Sequence, residues 1–278
     1  MASALSEKLD VCIWTKNSAR LLPQTLRRLE EVVPSQVINN KIMVDDHSED
    51  DTIAIGRSYG WSVYTNPGRG VASGANEALR HVVTNYFISV EHDVLLALNW
   101  WPRVFENLLH DERTAISQGA RVSSNKTLYA LYEDRIGLDD SLDNNIYRTD
   151  VIKRLGGFPS TCLVCTDVWL RKKVESAGYK WIIDPSVVSE HIRSGIMHHI
   201  SHSAYLHRFC TCKRRRIPMG YLLRLTLTSP LSGLKMALRR NAPQAAVTYP
   251  YLRLRILQAC LTSKKTEKGE QASERSSS

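Results

Sequence analysis

The sequence predicts an α/β fold: a mostly parallel central sheet covered by helices, followed by a basic, amphipathic, helical C-terminal extension. Three observations carry this. Between residues 9 and 90, short apolar runs of strand length alternate with stretches whose apolar residues recur at helical spacing. At 278 residues and 43% hydrophobic, the chain is long enough for one large α/β domain with an appendage. The charge is also divided. Residues 1–190 carry 21 basic and 25 acidic side chains, residues 191–266 carry 14 basic and none acidic, and residues 267–278 carry 2 and 3. Six cysteines in this length exclude a disulfide scaffold, and the composition excludes collagen-like and wholly disordered chains.

Leu9–Trp14 is the first strand. In Leu21–Val33, Leu22, Leu26, Leu29 and Val33 share one helical face, with Arg27, Arg28, Glu30 and Glu31 on the other. Lys41–Val44 is a second strand, ending in Asp45 and Asp46. The polar turn His47–Asp51 leads to a helix with Ile53 and Ile55, stopped at Gly60. Trp61–Tyr64 is a third strand, and the turn Asn66-Pro67-Gly68 precedes a helix at Ala72–Val83. Tyr86–Val90 reads as a buried strand. Trp100 to Asp143 has a mixed pattern, with a strand at Ser117–Val122. Asn144–Arg154 reads as a strand running into a short helix, and Asp167–Ala177 as a helix ended by Gly178. Trp181–Ile183 and Pro185–Ser189 follow as strands.

In an open parallel sheet, ligands bind beyond the carboxyl ends of the strands. Asp45, Asp46, Glu91 and Asp93 cluster there. Carboxylates two apart at a strand end, as in Glu91-His92-Asp93, can jointly hold a divalent cation that bridges substrate phosphates, although two solvated acids in a turn would look the same.

The surroundings of these acids are ordered. Val-Cys-Ile-Trp-Thr-Lys-Asn at 11–17 is followed by Val-Asp-Asp-His-Ser-Glu-Asp-Asp-Thr at 44–52, then by Gly70, Gly74 and Asn76, then by Glu91 and Asp93. Gly156-Gly157-Phe158, Thr166-Asp167, Gly178-Tyr179 and His191 continue the series. Over residues 9–193 the chain resembles family-2 glycosyltransferases of the GT-A fold. That resemblance implies a metal-dependent, inverting, hexosyltransferase-like enzyme (EC 2.4). It would take a UDP- or GDP-linked sugar as donor and Mn2+ or Mg2+ as cofactor.

By matching position, the resemblance places Thr15, Asn17, Asp45, Asp46, Gly74 and Glu91 at the nucleotide sugar, Asp93 and His191 at the metal, and Asp167 as general base. Each has a plainer alternative. Asp45 could cap the turn after it, Asp167 could be an acid favoured by a helix N-terminus, and His191 could be structural. The chain departs from the family pattern at Trp14, Lys16, Glu91 and Thr166. Cys162 and Cys165, with Cys210, Cys212 and the histidines at 198, 199, 202 and 207, suggest zinc, but the second pair lacks the two-residue spacer.

The expected organisation is a catalytic domain at 1–200, a membrane-associating extension at 201–262 and a disordered tail at 263–278. In the extension, Lys213-Arg214-Arg215-Arg216 and scattered arginines interrupt leucine-rich stretches, a composition suited to an anionic membrane surface. Nucleic acid is the weaker partner, because no helix-turn-helix or RNA-binding signature accompanies the charge. Packing on the acidic body or an oligomer contact is the second reading, ahead of nucleic acid. With no leader and no spanning segment in view, the expected location is cytoplasmic, peripheral to a membrane face, with a glycan or a polyprenyl-linked molecule as acceptor. Sugar-phosphate nucleotidyltransferase and non-catalytic membrane-surface module are the alternatives.

Overall fold

The computed structural model describes residues 7–124, 140–162, 164–192, 196–209 and 218–276; side chains are described as far as Thr262, except His198 and Phe209. Described residues up to 123 and from 140 to 192 form one compact unit, and those from 196 onward belong to a second. The basic run Lys213–Arg216 and the pair Cys210 and Cys212 lie outside the described residues.

The first unit is built on eight strands: β1 (Leu9–Thr15), β2 (Ile38–Asp45), β3 (Ser62–Thr65), β4 (Tyr86–Glu91), β5 (Val94–Leu95), β6 (Thr114–Ser123), β7 (Asn145–Arg148) and β8 (Lys180–His191). They lie in the order β3-β2-β1-β4-β7-β6-β8-β5. The first four are mutually parallel, as are β6 and β8, while β7 runs antiparallel between β4 and β6. The helices are α1 (Leu22–Val32), α2 (Thr52–Ser58), α3 (Gly70–His81), α4 (Trp100–His110), α5 (Thr149–Arg154) and α6 (Thr166–Ser176).

β1 is buried along its whole length and feeds both faces of the sheet. Leu9, Val11 and Ile13 pack with Leu22, Leu26 and Leu29 of α1 and with Val104, Phe105 and Leu108 of α4. Cys12 and Trp14 pack with Ala75, Ala78 and Leu79 of α3 and with Phe158. This period-2 division places helices on both sides, and each fully buried leucine stabilises the fold by roughly 1.5–3 kcal/mol. α1 ends where Val33 turns extended ahead of Pro34, as a residue before proline prefers.

The sequence left 100–110 unassigned, and the structure puts α4 there. Pro102 hides the pattern, because Trp101 before it is extended (φ −97°, ψ 135°) and interrupts the first turn. The buried Trp100, Trp101, Val104, Phe105 and Leu108 nonetheless follow helical spacing. The two strands read at 181–183 and 185–189 are one strand, β8, with a bulge: Gly119 of β6 pairs with Asp184, but Ala120 pairs with Val188. Pro185 lies in that bulge, where no ladder hydrogen bond is required of it.

A buried carboxylate knits the opposite end of the sheet. Asp10 accepts from the Asn40 amide at 3.1 Å, the Asn39 and Asn40 side chains at 2.9 Å each, the Val83 amide at 2.7 Å and the Thr84 amide at 3.2 Å. Burial, and next to it the charge of Asp10, push the thiol pKa of neighbouring Cys12 up.

The second unit contains α7 (Ile196–Phe209), α8 (Met219–Leu227), α9 (Ser229–Arg239) and α10 (Ala245–Ser276), around a small core of Ile200, Leu222, Leu252 and Ile256. α10 runs on through 263 to Ser276. Lack of an apolar face argues against burial but not against helix, and the Lys, Glu, Gln and Ala of this stretch are good helix formers.

Candidate functional site

The site lies at the carboxyl ends of β1, β2 and β4. Asp45 is buried there: its carboxylate accepts from the Ser48 amide at 2.8 Å, the Ser48 hydroxyl at 2.6 Å and the Thr15 hydroxyl at 3.2 Å. These contacts brace the turn that follows it. The rest of the Asp-Asp-X-Ser-X-Asp-X-Thr run ties two loops together. The Asn17 amide donates to Ser48 Oγ at 2.8 Å, the Ser18 amide to Thr52 Oγ1 at 2.7 Å and the Ala19 amide to Asp50 Oδ2 at 3.0 Å. Asn17, in the left-handed region at φ 47°, accepts from the Glu49 amide at 2.9 Å. Burial opposes the charge of Asp50, but bonds from the Thr52 hydroxyl and from the Ala19 and Thr52 amides outweigh it and lower its pKa.

Asp46 is held differently. Its carboxylate receives Asn66 Nδ2 at 3.1 Å and the Gly70 amide at 3.2 Å, with Lys16 Nζ at 3.5 Å. Asn66, fully enclosed, also accepts from the Gly68 amide and the Ser73 hydroxyl, so it shapes the loop that enters α3. Its role was missed from sequence, where Asn66-Pro67-Gly68 read only as a turn. Gly74 is a close-approach position: a Cβ would stand 3.2 Å from the Cβ of Trp14. Trp14 in turn packs edge-on against Phe158, with ring centroids 5.9 Å apart. Asn76 reaches the same turn, donating to the Phe158 carbonyl and accepting from its amide, both at 2.8 Å.

Glu91 ends β4, Asp93 follows it, and His191 ends β8. They come together because β5 pairs antiparallel with β8, placing Val94 opposite His191, while the Ile192 amide donates to the Asp93 carbonyl at 2.8 Å. His191 Nε2 lies 3.0 Å from Asp93 Oδ2, and one ligand atom from each of the three residues falls within 4.8 Å of the others. Two carboxylates and an imidazole are a donor set suited to Mn2+, and the carboxylates alone suit Mg2+. Glu91 thus sits with Asp93 and His191 in one cluster. Among the described residues no other group of this kind occurs, and Cys162, Cys165 and His199 form none.

Beneath the acids is a charge that the sequence did not single out. Arg121 of β6 pairs with Asp143, which is wholly buried and also accepts from the Ser141 hydroxyl at 2.6 Å. Burial works against the guanidinium, but the charges of Asp143, Glu91, Asp93 and Asp167 raise its pKa. A buried polar layer continues from there. Asn144 donates to the Gly119 carbonyl at 2.6 Å and accepts from Ser189 Oγ at 3.0 Å, and Trp181 Nε1 donates to Gln118 at 2.8 Å. Asp167 lies in the first turn of α6 and accepts from the Val168 amide at 2.8 Å.

The family model for glycosyl transferase family 2 matches residues 10–177. No curated protein sequence matches the chain. Among solved structures, a mannosyltransferase from Pyrobaculum calidifontis in complex with GDP-Man and Mn2+ is similar at TM-score 0.61 and 18% identity, over 93% of this chain and 88% of that one. S. aureus TarS 1–349 in complex with UDP gives TM-score 0.53 and 14% identity, over 95% and 92%. GalNAc-T7 with UDP, GalNAc and Mn2+ gives 0.54 and 12%, over 67% and 44%. At these identities the likeness is one of fold, and that fold is GT-A.

Proposed function

The chain belongs to glycosyltransferase family 2, and from that premise we propose that it moves a hexose from a UDP- or GDP-linked donor to a glycan or polyprenyl-linked acceptor, with inversion. The observation that carries this is the convergence of Glu91, Asp93 and His191. The GDP-Man, UDP and Mn2+ bound by the structural relatives support the choice of donor and metal.

In this reading Asp46 accepts from the nucleoside, in a loop shaped by Asn66 and the Gly70 amide. Glu91, Asp93 and His191 would hold Mn2+ or Mg2+, which when bound would supply positive charge where the diphosphate leaving group gains negative charge. Arg121, paired with Asp143, sets a positive charge near the clustered acids and offsets the repulsion among them. Asp167 takes the proton of the acceptor hydroxyl as that oxygen bonds to the anomeric carbon and the bond from that carbon to the diphosphate breaks. It lies in the first turn of α6, where the helix dipole attracts negative charge. With a phosphate acceptor there is no proton to take, and Asp167 is dispensable.

The test is a thermal-shift and calorimetric screen of UDP, GDP and their sugars, with and without Mn2+ or Mg2+. One nucleotide should bind only with metal, stabilising the protein by about 2.7 kcal/mol at a hundredfold excess over Kd. Equal nucleotide binding in EDTA would overturn the metal assignment, and no binding of either nucleotide would overturn the donor class.

A further inference from the structure

α9 turns the wrong side to water for a helix of a water-soluble protein. Its buried residues are Ser229 and Gly233. At Gly233 a Cβ would meet the Ala245 carbonyl at 2.8 Å, so this small-residue side lies close against the start of α10. The outward side carries Leu231, Leu234 and Leu238, exposed at 74%, 52% and 78%. Leu227, the last residue of α8, is 80% exposed and extends the row. Thr228 between the helices is itself near-helical (φ −84°, ψ −6°), so residues 227, 231, 234 and 238 keep a spacing of four, three and four along one stripe. Leu223 of α8 is exposed as well, and Arg224, Lys235 and Arg239 each directly follow a leucine of this face.

Such a face leaves large apolar side chains in water at a cost that only a partner offsets. The surrounding charge selects the partner. Residues 191–266 contain no acid, so a second copy brought face to face would set arginine against arginine. A leucine stripe offers nothing to a phosphodiester backbone. An anionic lipid surface satisfies both features, with leucines at the acyl boundary and basic groups among the headgroups. No helix among the described residues is long and apolar enough to cross a membrane, so the geometry is one of lying along it.

We propose that the outward face of α8 and α9, centred on Leu227, Leu231, Leu234 and Leu238 and rimmed by Arg224, Lys235 and Arg239, seats in the surface of an anionic bilayer. This surface stands independently of the donor chemistry above.

The experiment is flotation of the full chain with phosphatidylcholine vesicles, with and without phosphatidylglycerol. The wild type should float with anionic vesicles and lose binding as salt rises. Leu231→Ser/Leu234→Ser/Leu238→Ser should reduce the bound fraction at least about tenfold while leaving the melting temperature unchanged, because these side chains bury little in the fold. Lys235→Ala/Arg239→Ala, which leaves the leucines in place, should weaken anionic binding about fivefold per charge. Failure of the wild type to float, or equal flotation of the triple-leucine variant, overturns the proposal. So does a vesicle-free dimer that the triple variant converts to monomer, which would assign the face to a second copy. Nucleotide binding measured on the same variants should match wild type, which separates this proposal from the fate of the donor reading.

Discussion

The side-chain amide of Asn76 and the backbone of Phe158 exchange two hydrogen bonds, each 2.8 Å, across 82 residues of sequence. Gly157, with φ 73°, lets them meet, since a Cβ there would lie 2.3 Å from Asn76 Oδ1. The clamp fixes α3, whose first turn faces Asp46, to the Gly156-Gly157-Phe158 turn ahead of Asp167. Asn76→Ala should cost about 2–3 kcal/mol by orphaning a backbone donor and acceptor, read as a fall in urea midpoint. Asn76→Asp, which keeps the acceptor, should cost less. Equal losses would show that the bond accepted by Oδ1 contributes nothing.

Removing either end of the Asp93–His191 contact tests the metal cluster. Asp93→Asn and His191→Ala should each abolish the metal-dependent part of nucleotide binding while leaving the far-UV spectrum unchanged. Calorimetric Mn2+ titration provides the check, and retained metal affinity in both variants would exclude these residues as ligands.

Arg121 and Asp143 should behave as a coupled pair. Arg121→Met leaves a wholly buried carboxylate without its cation and should cost about 3–5 kcal/mol. Adding Asp143→Asn should recover a substantial part of that loss. A strictly additive double variant would mean that the ion pair is not what holds Arg121 in place.

Acid stability should depend on Asp184. Burial opposes its charge, yet bonds from Ser186, Asn107 and Arg103 hold its pKa down, at about 2 against 3.8. A depressed folded-state pKa contributes stability that is complete above the unfolded value and is lost as pH falls from about 4 toward 2. Asp184→Asn should therefore flatten the stability profile in that window, and a variant whose acid limb matches wild type would remove Asp184 from the account.

The first half of the fold was legible because β1, β4 and the second half of β2 are buried and α1 and α3 have one apolar face each. The residues around Asp46, Asp93 and His191 marked them out as candidates. The resemblance puts Asp93 and His191 at one metal, but how a separation of 98 residues is closed was not legible: the pairing of β5 with β8 does it. Asp10, Asn66, Arg121 and the Ser141–Asn145 layer were missed for a shared reason. A polar residue buried with partners reads in sequence like one dissolved in water, and only the backbone groups around it tell them apart.

The bulge in β8 makes the position of His191 a matter of counting. From Val188 onward the strand is offset from β6 by the residues at 185–187, and His191 meets Ser123 and Val94 only with that offset in place. Deleting one residue there would slide the strand end by about 3.3 Å and invert which side of the sheet the imidazole faces. The chain length of one short irregular segment, containing no ligand of its own, therefore sets whether the third donor exists. An engineer seeking to disable the cluster without substituting Glu91, Asp93 or His191 would cut there.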